Sequence, residues 1–277
     1  MINKHKHRIF KRYIVCILAI FICTVLLGIG IVRDNKLQKK QKTIAVAYNK
    51  AQSEKQQEEV IRIKVLKEYD GFVISTLGDS ITAQAKWQPS VVSELGFSNY
   101  NNYGVGGSRV SGNSNNAMWQ DSRIDEISKE SNIILFMGGM NDWAQNISLG
   151  TLNSVDTNTF YGALNTVYDK LGSKFPNTKI IFMSTTFGML PNRDAFKDKT
   201  GLKNDIGLMS IDYGKAIEKV ALTKKIAFID LTNCGWNKDN IATYVTNDGG
   251  YLHPNADGGK NMANIIITRL KEIKSTK

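Results

Sequence analysis

Hydrophobic positions follow three regimes along this chain. Residues 13–32 are twenty consecutive uncharged positions rich in Ile, Leu and Val. At 1.5 Å per residue, a helix over this run matches a hydrocarbon core of about 30 Å, so the pattern predicts a transmembrane segment. Residues 33–70 are polar and rich in Lys, Gln and Glu, without Pro or Gly, and Val60, Ile63 and Leu66 recur at helical spacing. A helical stalk is expected there. From residue 71 short apolar runs alternate with amphipathic stretches. Strands are expected at 72–77, 98–103, 132–137, 179–184 and 226–230, and helices at 88–95, 122–129, 159–174, 206–224 and 256–273. Residues 133–136 and 180–182 are continuously apolar, as strands buried on both faces are. Strands separated by helices require right-handed crossovers, hence a parallel sheet covered on both faces. The expected fold class is α/β: a three-layer α/β/α domain with about five parallel strands over 71–277. It is preceded by a basic head at 1–12, the span at 13–32 and the stalk at 33–70.

Charge refines this division. The net charge is +11, but residues 1–43 hold ten Lys/Arg against the single acid Asp34, a surplus of +9. The remainder carries only +2, which is no electrostatic footprint for a nucleic-acid partner. The basic residues flank the apolar run, so the expected partner is a membrane surface. A cleavable signal peptide fits less well, because Gly28 to Val32 lead straight into Arg33 without a small-x-small site. The reading is a single-pass anchor with the domain at 71–277 outside the membrane, at a bacterial cell surface. Cys16 and Cys23 lie in the span and Cys234 is alone beyond it, so no disulfide within the domain is available.

Each expected strand ends in notable residues. The first runs into Gly78-Asp79-Ser80, and the second into Gly104-Val105-Gly106-Gly107-Ser108. The third runs into Gly138-Gly139-Met140-Asn141-Asp142, and Asp248 to Asn255 precede the last helix. Carboxyl ends of parallel strands are where open α/β proteins place their chemistry. Ser80 is also a candidate helix N-cap, and Asp79 and Asp142 are candidate turn formers. His253 is the one histidine after residue 7, and no other side chain there has an ordinary pKa suited to moving protons near pH 7. No phosphate loop is present, and one histidine with one cysteine beyond the span cannot make a zinc site, so no metal or cofactor is expected.

In this order the four blocks resemble those of the SGNH (GDSL-type) hydrolases, a family of esterases and lipases, across about 71–274. The resemblance implies a flavodoxin-like SGNH fold. It implies Ser80 as nucleophile and His253 as base. It implies an oxyanion hole from the backbone N–H of Ser80, the backbone N–H of Gly107 and the side-chain amide of Asn141. The acid departs from the pattern. The family usually has Asp three residues before the histidine, where this chain has Gly250. Either Asp248 folds back over Gly249-Gly250 to complete a triad, or a backbone carbonyl orients the ring and leaves a Ser–His dyad. Asp230 and Asp257 are poorer candidates.

Three polar loops over the sheet edge offer Trp119, Trp143, Phe187 and Arg193 as substrate contacts, the aromatics by stacking on sugar faces. No long apolar lid is visible. The expected function is a membrane-anchored serine esterase that removes short acyl groups, O-acetyl above all, from surface carbohydrate. Two alternatives share the scaffold: an O-acyltransferase and a lysophospholipase-type lipid esterase. A third is a non-catalytic carbohydrate-binding module.

Overall fold

The computed structural model describes residues 2–114, 116–191 and 197–275, with side chains described for all of these except 2–17, 19, 62–68 and 275. The chain divides into two units, 1–63 and 64–277. Residues 2–63 of the first are helical, part of α1 (Ile2–Tyr69). The described side chains of this unit are exposed. Among the described residues, no helix is long and apolar enough to cross a membrane. Residues 13–17 and 19 of the expected span lie outside the described side chains.

After the end of α1, the second unit runs through β1 (Val73–Gly78), α2 (Ser80–Ala83), α3 (Gln88–Leu95), β2 (Asn99–Gly104) and α4 (Asp121–Asp125). It continues with β3 (Ile133–Met137), α5 (Met140–Ala144), α6 (Phe160–Lys174), β4 (Lys179–Met183), α7 (Ser210–Lys224) and β5 (Ala227–Ile229). It closes with α8 (Ile241–Tyr244), β6 (Val245–Asn247), β7 (Tyr251–Pro254) and α9 (Ala256–Ser275). The five strands β2-β1-β3-β4-β5 form one parallel sheet. The chain leaves β1 toward β2, then returns to lay β3 on the other side. Right-handed crossovers in opposite directions put α3 and α6 on opposite faces. Accordingly α3 packs on α9, and α6 on α7. The crevice where the direction reverses lies at the carboxyl ends of β1 and β3.

Burial follows position in the sheet. β3, at the centre, is buried along its whole length, and β1 is buried from Ile74 onward. β2 is an edge strand and carries the polar sequence Asn-Tyr-Asn-Asn-Tyr-Gly. Local chemistry sets the ends. Pro89 opens α3 and Gly96, in the left-handed region at φ 73°, closes it. The Thr159 hydroxyl accepts the Gly162 N–H at the start of α6.

Two expected helices are shorter than their pattern. The helix expected at 122–129 is α4, which ends at Asp125 because the Ser128 N–H goes to the Tyr103 hydroxyl instead of continuing the ladder. The helix expected from 206 starts at Ser210, where the Asp212 carboxylate accepts the Met209 N–H. The antiparallel hairpin β6–β7 was not expected from the sequence.

Two glycines let elements meet closely at the crevice. A Cβ on Gly104 would fall 2.2 Å from the backbone nitrogen of Ala83, and one on Gly78 would fall 2.8 Å from the carbonyl oxygen of Met137. Backbone atoms cannot rotate away as side chains do. Gly104→Ala is therefore expected to destabilise the fold by about 1–3 kcal/mol, read by urea unfolding. An unchanged midpoint would show that α2 and β2 are not packed this tightly.

Candidate active site

The site begins at the end of β1. Asp79 caps α2, its Oδ1 accepting the Ile81 N–H at 3.0 Å. Ser80 is thereby fixed as the first residue of α2, half-buried at the sheet edge. Its Oγ–H donates to His253 Nε2 at 2.8 Å. The other ring nitrogen, Nδ1, donates to Asp248 Oδ2 at 2.6 Å. This pairing leaves Nε2 as the acceptor, the tautomer that a base acting on Ser80 requires.

The hairpin explains how an acid five residues before the histidine reaches it. Thr246 pairs with His253 and Asn247 with Tyr251, with a register shift between Thr246 and Asn247. Residues 248–250 form the turn, with Gly249 at φ +93° and Gly250 at φ +158°. A Cβ on Gly250 would come within 2.3 Å of Leu190 Cδ2. Met189 steadies the far side of the hairpin, donating to the Tyr251 carbonyl at 3.1 Å and accepting the Tyr251 N–H at 2.7 Å. The ring therefore faces a carboxylate, not a backbone carbonyl.

The other two blocks flank Ser80. Gly107 lies in the left-handed region at φ +71°, and a Cβ there would meet nothing within 4 Å. Backbone conformation, not crowding, calls for glycine at this position. Among the described residues, the backbone N–H groups of Ser80 and Gly107 have no hydrogen-bond partner. Asn141, in α5, donates one amide hydrogen from Nδ2 to the Ser108 carbonyl at 3.0 Å. An amide has two such hydrogens, and the second remains for a ligand.

Behind these groups, Arg123 is buried and donates from Nη2 to the Tyr103 carbonyl at 2.7 Å and to the Gly78 carbonyl at 3.3 Å. It ties together the ends of β1 and β2. Nothing in its local sequence marks it, since both acceptors are backbone groups distant along the chain.

The expected substrate contacts fare differently. Trp143 is fully buried, its indole N–H donating to the Leu208 carbonyl at 2.9 Å, so it is core and offers no face to a sugar. Phe187 is 9% exposed and belongs to the same core. Trp119 is half-buried, with its N–H on the Gly112 carbonyl at 2.7 Å and the Lys170 ammonium 5.0 Å above its ring. Arg193 lies outside the described residues. Among the described residues, no cluster of three or more His, Cys, Asp or Glu is placed to hold a metal.

The family model for GDSL-like lipases and acylhydrolases matches residues 76–260. The chain belongs to this family. Its members are ester hydrolases, and so is this chain. No curated protein matches the sequence. Among solved structures, a protein from Lactobacillus plantarum is 24% identical, with a TM-score of 0.63 over 73% of this chain and 98% of its own. A possible lipase from Chitinophaga pinensis is 18% identical, with a TM-score of 0.56 over 73% and 98%. An acetylxylan esterase from Geobacillus stearothermophilus is 17% identical, with a TM-score of 0.50 over 73% and 94%. At these identities the likeness is one of fold.

Two outcomes follow from the geometry of the family site in this chain. Asp248→Asn should lower kcat by about 10³–10⁴-fold with the fold intact, because the amide no longer fixes the imidazole tautomer. Near-wild-type turnover would show that Asp248 does not orient the base. Asp79 is the second case. Burial pushes its carboxyl up to about 7, helped by the charge of Asp142 and opposed by the Ile81 N–H and by His253. The folded protein thus holds a proton that the unfolded chain has already released. This contribution favours the fold at low pH and is lost as pH rises through about 7. Asp79→Asn should therefore raise Tm relative to wild type more at about pH 8 than at about pH 5. An equal difference at both would place Asp79 at an ordinary carboxylate value.

Proposed function

We propose that this chain is a serine esterase that removes short acyl groups, O-acetyl in particular, from carbohydrate at a bacterial cell surface. The observation that carries the reading is the continuous hydrogen-bond chain from Ser80 through His253 to Asp248, at 2.8 and 2.6 Å.

The chemistry runs along that chain. Ser80 Oγ attacks the ester carbonyl while His253 Nε2 takes its proton. Asp248 stabilises the imidazolium that forms. Negative charge develops on the former carbonyl oxygen, and the N–H groups of Ser80 and Gly107 with the free amide hydrogen of Asn141 receive it. His253 returns the proton to the departing alcohol, leaving an acyl group on Ser80. Water then attacks the acyl-enzyme with His253 again as base, the bond from the acyl carbon to Ser80 Oγ breaks, His253 returns the proton to Oγ, and the carboxylic acid leaves.

Two features support a small acyl group on a polar partner. Loops over the sheet edge are polar and lack a long apolar lid. The structural neighbours include an acetylxylan esterase and a carbohydrate acetylesterase family member from Sinorhizobium meliloti. In this reading residues 13–32 anchor the chain in the membrane, residues 33–70 form the stalk, and the catalytic unit works outside.

The full chain in detergent is expected to hydrolyse p-nitrophenyl acetate faster than the octanoate ester, and acetylated xylan faster than lysophospholipid. Ser80→Ala should remove all four activities. Turnover confined to the lipid would establish a lipid esterase, and no turnover of any ester would defeat the proposal.

A further inference from the structure

Asn141 is followed by Asp142, a carboxylate with no solvent exposure. Its hydrogen-bond partners are neutral and all belong to one loop. Oδ2 accepts the Val110 N–H at 2.8 Å. Oδ1 accepts the Ser111 N–H at 3.0 Å and the Ser111 hydroxyl at 2.5 Å. Burying a carboxylate is costly unless its oxygens are satisfied, and here the loop alone satisfies them. Burial pushes the Asp142 carboxyl above the usual range, and the three loop donors pull it back.

The same loop carries Gly107. It is held at Ser108 by the Asn141 amide and at Val110 and Ser111 by Asp142. The Ser108 hydroxyl is taken as well, donating to the Asn116 carbonyl. Two consecutive residues of α5 therefore fasten the loop on the far side of Gly107. An amide at 142 would not substitute. It has one acceptor oxygen where three donors converge, and its NH₂ would face an N–H or a hydroxyl.

We infer that Asp142 is a positioning residue for ester hydrolysis, locking loop 107–111 to α5 so that the Gly107 N–H and the Asn141 amide face one developing oxyanion. The inference rests on the donors assigned under the proposed function. Asp142 touches neither substrate nor the reacting atoms. Its effect passes through the loop, so it is felt in the transition state more than in substrate binding.

Asp142→Asn in the full chain is expected to lower kcat for p-nitrophenyl acetate by about 10²-fold, the size of losing one oxyanion donor, with KM nearly unchanged. Affinity for a phenylboronic acid, which forms a tetrahedral adduct on Ser80, should fall in step with kcat. Ser111→Ala removes one donor and no charge. It should give a smaller loss in the same two quantities, and it serves if Asp142→Asn does not fold. Amide hydrogen exchange reads the clamp without substrate: Val110 and Ser111 should exchange faster in Asp142→Asn than in wild type. Wild-type kcat and boronate affinity in a folded variant would overturn the inference. So would a KM that rises in proportion to the loss of activity, or unchanged protection of Val110 and Ser111. Absence of wild-type turnover on every ester would count against the esterase reading instead, and the exchange rates would still decide whether Asp142 holds the loop.

Discussion

Gly78, the last residue of β1, pairs with Gly104 of β2 on one side and with Met137 of β3 on the other. This lateral register of three parallel strand ends sets the positions of Ser80, Gly107 and Asn141. Ser80, Gly107 and Asn141 each follow one of these ends within four residues. A one-residue slip of any strand would turn its side chains to the other face and carry its block away from the others. The register is specified by burial. β3 is buried throughout and β1 nearly so, and either would expose an apolar face if it moved. Small residues allow the approach, at Gly78 and Gly104, and the buried Arg123 holds the first two strand ends by their carbonyls.

The proposed base comes from outside this sheet. His253 sits on a two-stranded hairpin whose turn supplies Asp248. A compact spacing between acid and histidine lets both project from one segment. Here the acid is farther back, and the chain compensates by reversing direction through Gly249 and Gly250. The hairpin is short and would be marginal alone. Two backbone hydrogen bonds to Met189 join it to the loop after β4, so the orientation of the base depends on a segment about sixty residues upstream. Asp248 is also the most open member of the chain, with 42% of its side chain exposed against 21% for His253. In such a setting geometry, more than low dielectric, has to supply the orienting effect.

The sheet was legible in the sequence because parallel strands buried on both faces read as continuous apolar runs, and all five expected strands overlap an observed one. Ser80, Gly107, Asn141 and His253 stood out because each follows or precedes such an element. Features built from distant partners were not legible. The hairpin is polar and glycine-rich, and its stabilising bonds go to Met189. Trp143 and Phe187 lie in polar stretches and read as exposed aromatics. Trp143 is buried because its N–H finds the Leu208 carbonyl, a partner that only the folded chain brings near. Asp142 read as a turn former, since its three donors lie more than thirty residues upstream. Arg123 had no signal at all. Local pattern reveals what a segment buries, while long-range hydrogen bonds decide how a site is held.

The central claim is that Ser80 is the activated nucleophile and that His253 activates it. Labelling with a fluorophosphonate, followed by peptide mass spectrometry, tests it most directly. The expected result is one adduct, on Ser80, that forms rapidly in the wild-type protein, slowly in His253→Ala and not at all in Ser80→Ala. An adduct on another residue, or labelling of Ser80 at the same rate without His253, would contradict it.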